Sequence, residues 1–475
     1  MTRTLLLPLL LLAVSTSLRA QAEGEWFAVL DAMGTKLPMK LQIERSGNDW
    51  SGVMLDPTQP QRRLPLTTAG FNGKRFTYTV EPLGITFAGV VDGKEMRGVF
   101  NQAKTDFPLT FTRHRPDGYP IEEGPITIRR RAQDPADFPY ERRTVSFPGG
   151  AEGVTLAGEL TLPESGKPKA LLVLVAGSGP QDRNSYLGSQ INHSPFLVLS
   201  DYLTRRGYGV LRYDERGIAE STGDHRSATT ADLAADATAA VRFLRQQTDL
   251  AKLPVGVAGH SEGGLIAPIV AEQEELNFVL LLAAPAVRID SLMLEQRRQV
   301  ALAMGMPAAM IRRDEPSLRA GYAYIRESQK LDHDQFVEGL YAVFEQQLVN
   351  LPEPLRKSIT DPRAFNAQYV KPLSSPWMRY FIAMDPQPAL QRLSVPVLAL
   401  NGTKDLQVPA MMNLNAISQA AAIGGNQDVT VLPLLELNHL FQPAETGAPA
   451  EYGTIETTLD PTMLEAVGGW LDERF

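Results

Sequence analysis

Val255-Gly256-Val257-Ala258-Gly259-His260-Ser261-Glu262-Gly263-Gly264-Leu265-Ile266-Ala267 is the stretch on which the reading of this chain turns. Four residues of strand type run into a serine flanked by glycines, and an apolar helical pattern follows at once. G-x-S-x-G alone is a weak pattern; at a strand-to-helix turn it becomes a strong one. The turn is sharp enough to strain the serine backbone, and small residues on both flanks are needed to avoid clashes. It lifts the serine hydroxyl above the sheet, beside the next N–H and the helix N-terminus. The blander alternative, a tight βα turn with an incidental serine, fits this context less well.

Outward from that turn, strand and helix patterns alternate. Before it come a strand at 170–176, a helix at 195–206, a strand at 210–213 and a helix at 231–247. After it come a helix at 265–274, strands at 278–283 and 397–400, a helix at 411–421, a strand at 429–435 and a helix near 461–472. Near-continuous apolar strands between helices predict a mostly parallel sheet with helices on both faces. The stretch at about 288–390 is helical in pattern, with Phe336, Val337, Leu340, Tyr341, Phe344 and Leu348 on one face. A helical insertion between two parallel strands sits over the carboxyl edge or hangs off it, and that edge is where open α/β sheets bind ligands.

A serine hydroxyl is a poor nucleophile without a base, and the base needs an orienting acid. With the serine at such a turn, the chain order is Ser, acid, His. Of six histidines, only His333 and His439 follow Ser261. His333 sits among charges in the insertion and is expected to face solvent. His439 comes just past the last strand of the sheet, at the carboxyl edge. His260, inside the turn, cannot swing round to the serine and is expected to pack or hydrogen-bond. Asp405 follows the strand Val397–Leu400 into a loop at the same edge, which favours it over Asp385 and the fallback Glu436. The oxyanion hole needs a second backbone N–H from the loop after an earlier strand. Gly177-Ser178-Gly179-Pro180 fits, with Ser178 or Gly179 donating and Glu262 the other donor by position. No Gly-Lys-Ser/Thr follows, so a nucleotide loop is a weak reading. The charges of Tyr213-Asp214-Glu215-Arg216-Gly217 are expected to brace loops by ion pairing.

The chain has 475 residues, 46 Lys+Arg against 54 Asp+Glu, and a net charge of −8. That balance argues against a nucleic-acid footprint. The absence of cysteine excludes disulfides, thiolate metal sites and cysteine nucleophiles. Residues 1–22 read as a cleaved signal peptide: Arg3, an apolar run Leu5–Val14 and the small-x-small site Ala20-Gln21-Ala22. Export to the periplasm or beyond is the corresponding expectation, with no membrane span after cleavage. Residues 24–114 alternate in short runs between Ser-Gly-Asn, Asn-Gly and Asp-Gly turns, which predicts a small all-β barrel or sandwich. Residues 115–141, rich in Pro and charge, read as a linker to the α/β region at 142–475.

At this point the chain resembles the secreted bacterial α/β-hydrolases of carboxylesterase or serine aminopeptidase-like type that carry an N-terminal β domain. The resemblance rests on AGSGPQDRN, RYDERG, GHSEGG, SPWMRYFIAMDP, LALNGTKDLQVP, LNHLFQ and EYGTIETT, and on GVFNQAKTDFPLTFTR in the β module. It implies an α/β-hydrolase fold with a helical lid at about 288–390, Ser261 as nucleophile, Asp405 as acid and His439 as base. Ala219 stands where such sequences usually have Gly. Ester hydrolysis through an acyl-enzyme is the leading expectation. The alternative is an aminopeptidase-like amide hydrolase with an acid (Glu262, Glu315 or Glu327) holding a substrate ammonium. A ligand-binding protein with a vestigial hydrolase domain is a further alternative, which the intact triad disfavours. The expected partner is a small-molecule ester or short peptide; no metal, nucleotide or organic cofactor is implied. Six lid methionines (Met293, Met304, Met306, Met310, Met378, Met384) either line an acyl pocket or pack helices. Trp377, Tyr380 and Phe381 either border that pocket or staple the lid to the core.

Overall fold

A computed structural model describes residues 22–119 and 131–475, apart from 33–34, 47–48, 57–58, 82–83, 103–104, 117–118 and 352. The expected signal peptide therefore lies almost wholly outside the described residues, as does the middle of the expected linker. The chain divides into two compact units, Met1–Thr127 and Ile128–Phe475.

The first unit is one antiparallel sheet of nine strands, in the order β4-β3-β2-β1-β9-β8-β7-β6-β5. These are β1 (Gly24–Ala32), β2 (Thr35–Ser46), β3 (Asp49–Asp56), β4 (Gln59–Pro65), β5 (Thr68–Phe71), β6 (Arg75–Val80), β7 (Ile85–Asp92), β8 (Glu95–Gln102) and β9 (Thr105–Thr112). The segment between β4 and β5 curls the sheet round: Leu66 N–H donates to the Gly52 carbonyl at 3.0 Å and Thr67 N–H to the Thr79 carbonyl at 2.7 Å. Period-two alternation turns Trp26, Leu41, Phe76, Tyr78, Phe87, Met96, Phe100 and Phe111 to a common core. The sequence pattern finds β2, β3 and β6 to β9. It misses β1, where Phe27 and Val29 blur the alternation, β4, whose prolines and arginines suit a sheet edge, and the four-residue β5.

The second unit is an eight-stranded sheet in the order β10-β11-β13-β12-β14-β15-β16-β17. Its strands are β10 (Glu141–Pro148), β11 (Thr155–Leu162), β12 (Leu171–Val175), β13 (Gly209–Tyr213), β14 (Val255–His260), β15 (Phe278–Leu282), β16 (Val397–Gly402) and β17 (Val429–Leu434). From β13 to β17 all pairings are parallel. β10 and β11 add an antiparallel edge that the sequence reading does not pick out. Its alternating charged and apolar residues lack the continuous apolar run of a central strand.

The helices are α1 (Gly188–Ile191), α2 (Pro195–Arg205), α3 (Thr230–Gln246) and α4 (Glu262–Gln273). They are followed by α5 (Ile289–Ala303), α6 (Ala308–Glu327), α7 (His333–Gln347), α8 (Glu353–Ser358), α9 (Pro362–Leu373), α10 (Pro376–Ala383), α11 (Gln387–Gln391), α12 (Ala410–Gly424) and α13 (Pro461–Asp472). One face of the sheet is covered by α3, α4 and α12 through Val241, Ile266, Val270, Leu414 and Ile417. The other is covered by α2 and α13 through Phe196, Leu199, Leu203, Met463 and Val467. Between β15 and β16 the regular structure of the described residues is all helical, α5 to α11, and Phe336, Leu340, Tyr341 and Phe344 form a core there with Leu318 and Ile325. No helix among the described residues is long and apolar enough to cross a membrane.

The last part of the expected linker is tied to this unit. Arg131 Nη2 donates to the carbonyls of Ile191 (2.9 Å) and Gly453 (2.8 Å), and the Tyr140 hydroxyl donates to Asp201 at 2.8 Å. The charged loop after β13 braces its neighbours, with Asp214 pairing Arg183 and Arg216 gripping Asp236, both carboxylates buried. Ala219 in this loop has φ +46°, a left-handed conformation in which a Cβ is strained by roughly 1–2 kcal/mol. Relief of that strain outweighs the added freedom of the unfolded chain. Ala219→Gly is therefore expected to stabilise the fold by about 1 kcal/mol, read as a higher melting temperature; an unchanged or lower one would contradict the assignment of strain.

Candidate active site

The turn between β14 and α4 is built by close approach. A Cβ at Gly259 would overlap the backbone of Gly263, and one at Gly263 would overlap the carbonyl of Val175 on β12. Only hydrogen fits at either position. The chain between them is forced through Ser261 at φ +53°, ψ −116°, outside the regions open to ordinary L-residues. Ser261 N–H donates to the Leu282 carbonyl at 2.8 Å, which pins the turn to β15. The helix starts at the next residue, so the Glu262 N–H is a first-turn donor with no partner inside the helix.

Two loops at the same sheet edge come to the serine. The His439 imidazole lies between Ser261 and Asp405, with Nδ1 2.8 Å from Asp405 Oδ2 and Nε2 3.1 Å from Ser261 Oγ. An ionised carboxylate only accepts, so Nδ1 carries the proton and Nε2 is left to accept from the serine hydroxyl. Asp405 is buried, and its second oxygen accepts the N–H groups of Gln407 and Val408, each at 2.8 Å. Asn438 holds the histidine loop in turn: its Oδ1 accepts from Leu440 N–H at 2.9 Å and Gln442 N–H at 3.0 Å. His260 takes the packing role expected of it. Its Nε2–H donates to the carbonyl of His439 at 2.9 Å, and the two rings lie 4.9 Å apart.

The other residues weighed from sequence lie elsewhere. Asp385 is exposed and accepts from Gln387 N–H at 3.0 Å, Glu436 is exposed beside Lys404, and His333 is exposed at the start of α7. Ser178 lines the cavity in front of Ser261, and Gly177 approaches so closely that a Cβ there would sit 3.1 Å from that of Ser261. Gly179 does not line the cavity. The Gly177–Pro180 loop is held from behind, since Gln181 N–H donates to the buried Glu215 carboxylate at 2.9 Å.

The Glu262 carboxylate points away from the cavity into the protein. Its Oε1 accepts from the Thr230 hydroxyl at 2.6 Å and from Trp377 Nε1 at 2.8 Å, which ties α10 of the insertion to the turn. Burial pushes its pKa up, against the pull of its hydrogen-bond donors. Trp377 stacks on Phe381, with ring centroids 4.9 Å apart. Of the acids weighed for an ammonium, Glu262 is thus already engaged, Glu315 pairs with Arg319, and Glu327 is exposed.

The cavity over Ser261 encloses about 300 Å³. One wall is core: Phe196, Leu199, Leu282, Phe441, Leu459 and Met463. The facing wall is largely the insertion: Leu292, Met293, Gln296, Trp377 and Phe381. Among the described residues that line it there is no Asp, Glu, Lys or Arg. Of the six insertion methionines only Met293 lines it, while Met304, Met306 and Met310 are exposed. Tyr452 and Gln407, joined at 2.9 Å, also line the cavity; both lie in stretches that carry the resemblance, LALNGTKDLQVP and EYGTIETT, but the sequence assigns neither a role.

The sequence profile of the serine aminopeptidase S33 hydrolases matches residues 193–343. Esterase EstD of Thermotoga maritima is 27% identical over 278 residues, covering 58% of this chain and 54% of EstD, so the chain spans about half the length of that curated relative. Among solved structures, a Pyrococcus furiosus esterase aligns over 71% of this chain and 92% of its own at 16% identity, with a TM-score of 0.42. Est1E from Butyrivibrio proteoclasticus, bound to ferulic acid, covers 70% and 98% at 16% identity and a TM-score of 0.39. A proline iminopeptidase of Mycobacterium smegmatis covers 70% and 98% at 14% identity and a TM-score of 0.40. The strand order above and the profile match give the second unit an α/β-hydrolase fold.

Burial, helped by the neighbouring His439, lowers the His260 pKa to about 3. The unfolded chain takes up this proton near pH 6.5 while the native state refuses it until about pH 3. The stabilising effect of keeping His260 neutral is therefore complete above pH 6.5 and lost as pH falls toward 3. Between pH 7 and 4.5 this amounts to roughly 2–3 kcal/mol. Urea unfolding at both pH values is expected to show a smaller acid loss in His260→Gln than in the wild type; equal losses would contradict the burial argument.

Proposed function

We propose that this α/β-hydrolase cleaves uncharged carboxylic esters through an acyl-enzyme formed on Ser261. The observation that carries the reading is the hydrogen-bonded chain Ser261–His439–Asp405 at the floor of a cavity with no charged side chain in its wall. In this reading His439 Nε2 takes the proton from Ser261 Oγ as that oxygen attacks the acyl carbon. The carbonyl electrons move onto oxygen, and the N–H groups of Glu262 and Ser178 stabilise the O⁻. Collapse expels the alcohol, which leaves with the proton from His439. Water then attacks the acyl-enzyme, giving its proton to His439, and the carboxylic acid leaves as Ser261 recovers its hydrogen. Asp405 holds the imidazole in the productive tautomer and stabilises the imidazolium.

The same cavity disfavours the aminopeptidase alternative. An α-ammonium brought out of water into an apolar site needs a partner carboxylate, and none of the lining side chains supplies one. The insertion, which contributes one cavity wall, is read as a lid. On the strength of the leader-like segment 1–22, the reaction is placed outside the cytoplasm.

Initial rates on p-nitrophenyl esters from acetyl to palmitoyl, beside aminoacyl p-nitroanilides, test this. The expected result is turnover of esters alone, with a chain-length optimum and none in Ser261→Ala. Anilide turnover matching that of the esters would overturn the ester reading, and an active Ser261→Ala would overturn the nucleophile. His439→Ala is expected to lower kcat by about 10³-fold or more; a loss under about tenfold would mean another base.

A further inference from the structure

The turn joining α5 to α6 is Leu302-Ala303-Met304-Gly305-Met306-Pro307-Ala308-Ala309-Met310, a run of nine exposed residues without one polar side chain. Leu302 is 41% exposed, Met304 73%, Met306 38% and Met310 43%. Isolated apolar residues on a surface need no explanation, but a contiguous apolar tip does. It is bordered on both sides by arginine pairs, Arg297-Arg298 on α5 and Arg312-Arg313 on α6. Arg297 and Arg313 share Asp314, at 3.3 and 2.8 Å, and Arg298 pairs with Glu295. Arg312 is exposed and makes no ion pair among the described residues. With Glu315, which faces Arg298 and pairs with Arg319, the collar carries five cations against three carboxylates, on a chain whose overall charge is −8.

We propose that this tip is a docking surface for an anionic lipid bilayer. Apolar side chains with arginines just behind them match the layering of such a surface. Methionine and leucine enter the boundary of the acyl chains, to a depth of about 5–10 Å, while guanidinium groups stay among the head groups. The charge argument separates this occupant from a second copy of the chain. Two tips meeting in a symmetric contact would bring one arginine collar against the other, whereas anionic lipid supplies the opposite charge. The tip is also carried by a helix that lines the cavity. Gln296 lines the cavity and Met304 lies eight residues further on, about 12 Å along the helix axis. Docking would hold the cavity close to the interface in which apolar esters dissolve. The docking itself does not depend on the reaction proposed for the cavity.

The test is sedimentation of the full chain with phosphatidylglycerol–phosphatidylcholine vesicles and with phosphatidylcholine vesicles, at low and high salt. The wild type and Ser261→Ala are expected to bind the anionic vesicles equally. Binding should weaken by about tenfold or more on neutral vesicles or at high salt. The double variant M304D/M306D should lose about tenfold or more of the vesicle affinity while hydrolysing p-nitrophenyl acetate in solution at the wild-type rate. These positions are exposed and outside the cavity, so the fold does not depend on them. Absence of wild-type binding to anionic vesicles, or equal binding by M304D/M306D, would overturn the proposal. So would a dimer that M304D/M306D dissociates in the absence of vesicle binding, which would make the tip a contact between copies.

Discussion

The contact of Gly263 with the Val175 carbonyl is the constraint from which the site follows. Because nothing larger than hydrogen fits there, β14 and α4 approach closely enough to leave Ser261 at positive φ. A non-glycine residue in such a conformation costs of order 1–3 kcal/mol and persists only when its surroundings over-determine it. Here they do: β14 lies between β12 and β15 in a sheet buried on both faces, and the N–H of Ser261 is bound to β15. The strain buys a hydroxyl raised to the carboxyl edge of the sheet, with a helix N-terminus behind it.

The rest of the site depends on loops made rigid by polar groups out of water. Asp405 accepts two backbone N–H groups of its own loop, Asn438 accepts two of the histidine loop, and His260 grips the carbonyl of His439. Each buried polar atom so paired avoids a desolvation penalty of about 1–3 kcal/mol. The same bonds fix the imidazole in position and tautomer, so stability and chemistry draw on one set of contacts. Glu262 extends the set to the insertion through Trp377, which joins the geometry of the turn to the wall of the cavity.

The local parts of this arrangement are legible in the sequence. Continuous apolar strands such as Leu171–Val175 and Phe278–Leu282 stand out because both faces are buried. The Ser261 turn stands out because its glycines are sterically required, and Asp405 and His439 because each follows a strand of the parallel sheet. What escapes is whatever depends on residues distant in sequence. The antiparallel strands β10 and β11 lack a continuous apolar run, and Tyr452 and Gln407 reach the cavity only through the fold. Glu262 reads in one dimension as an acid beside the nucleophile, available to an ammonium; in three it faces Thr230 and Trp377. Ala219 is the converse case, where the departure from the usual Gly marks a left-handed position that the structure then displays.

The central claim is that the chain Ser261–His439–Asp405 makes Ser261 Oγ a nucleophile. The most direct measurement is rapid quenching of the full chain with a p-nitrophenyl ester, followed by mass spectrometry of the intact protein and its peptides. The account predicts a burst of one p-nitrophenol per active site and an acyl mass on the peptide containing Ser261, both lost in Ser261→Ala. Hydrolysis without a burst and with no acyl group on that peptide, or an acyl group on another residue, would contradict it.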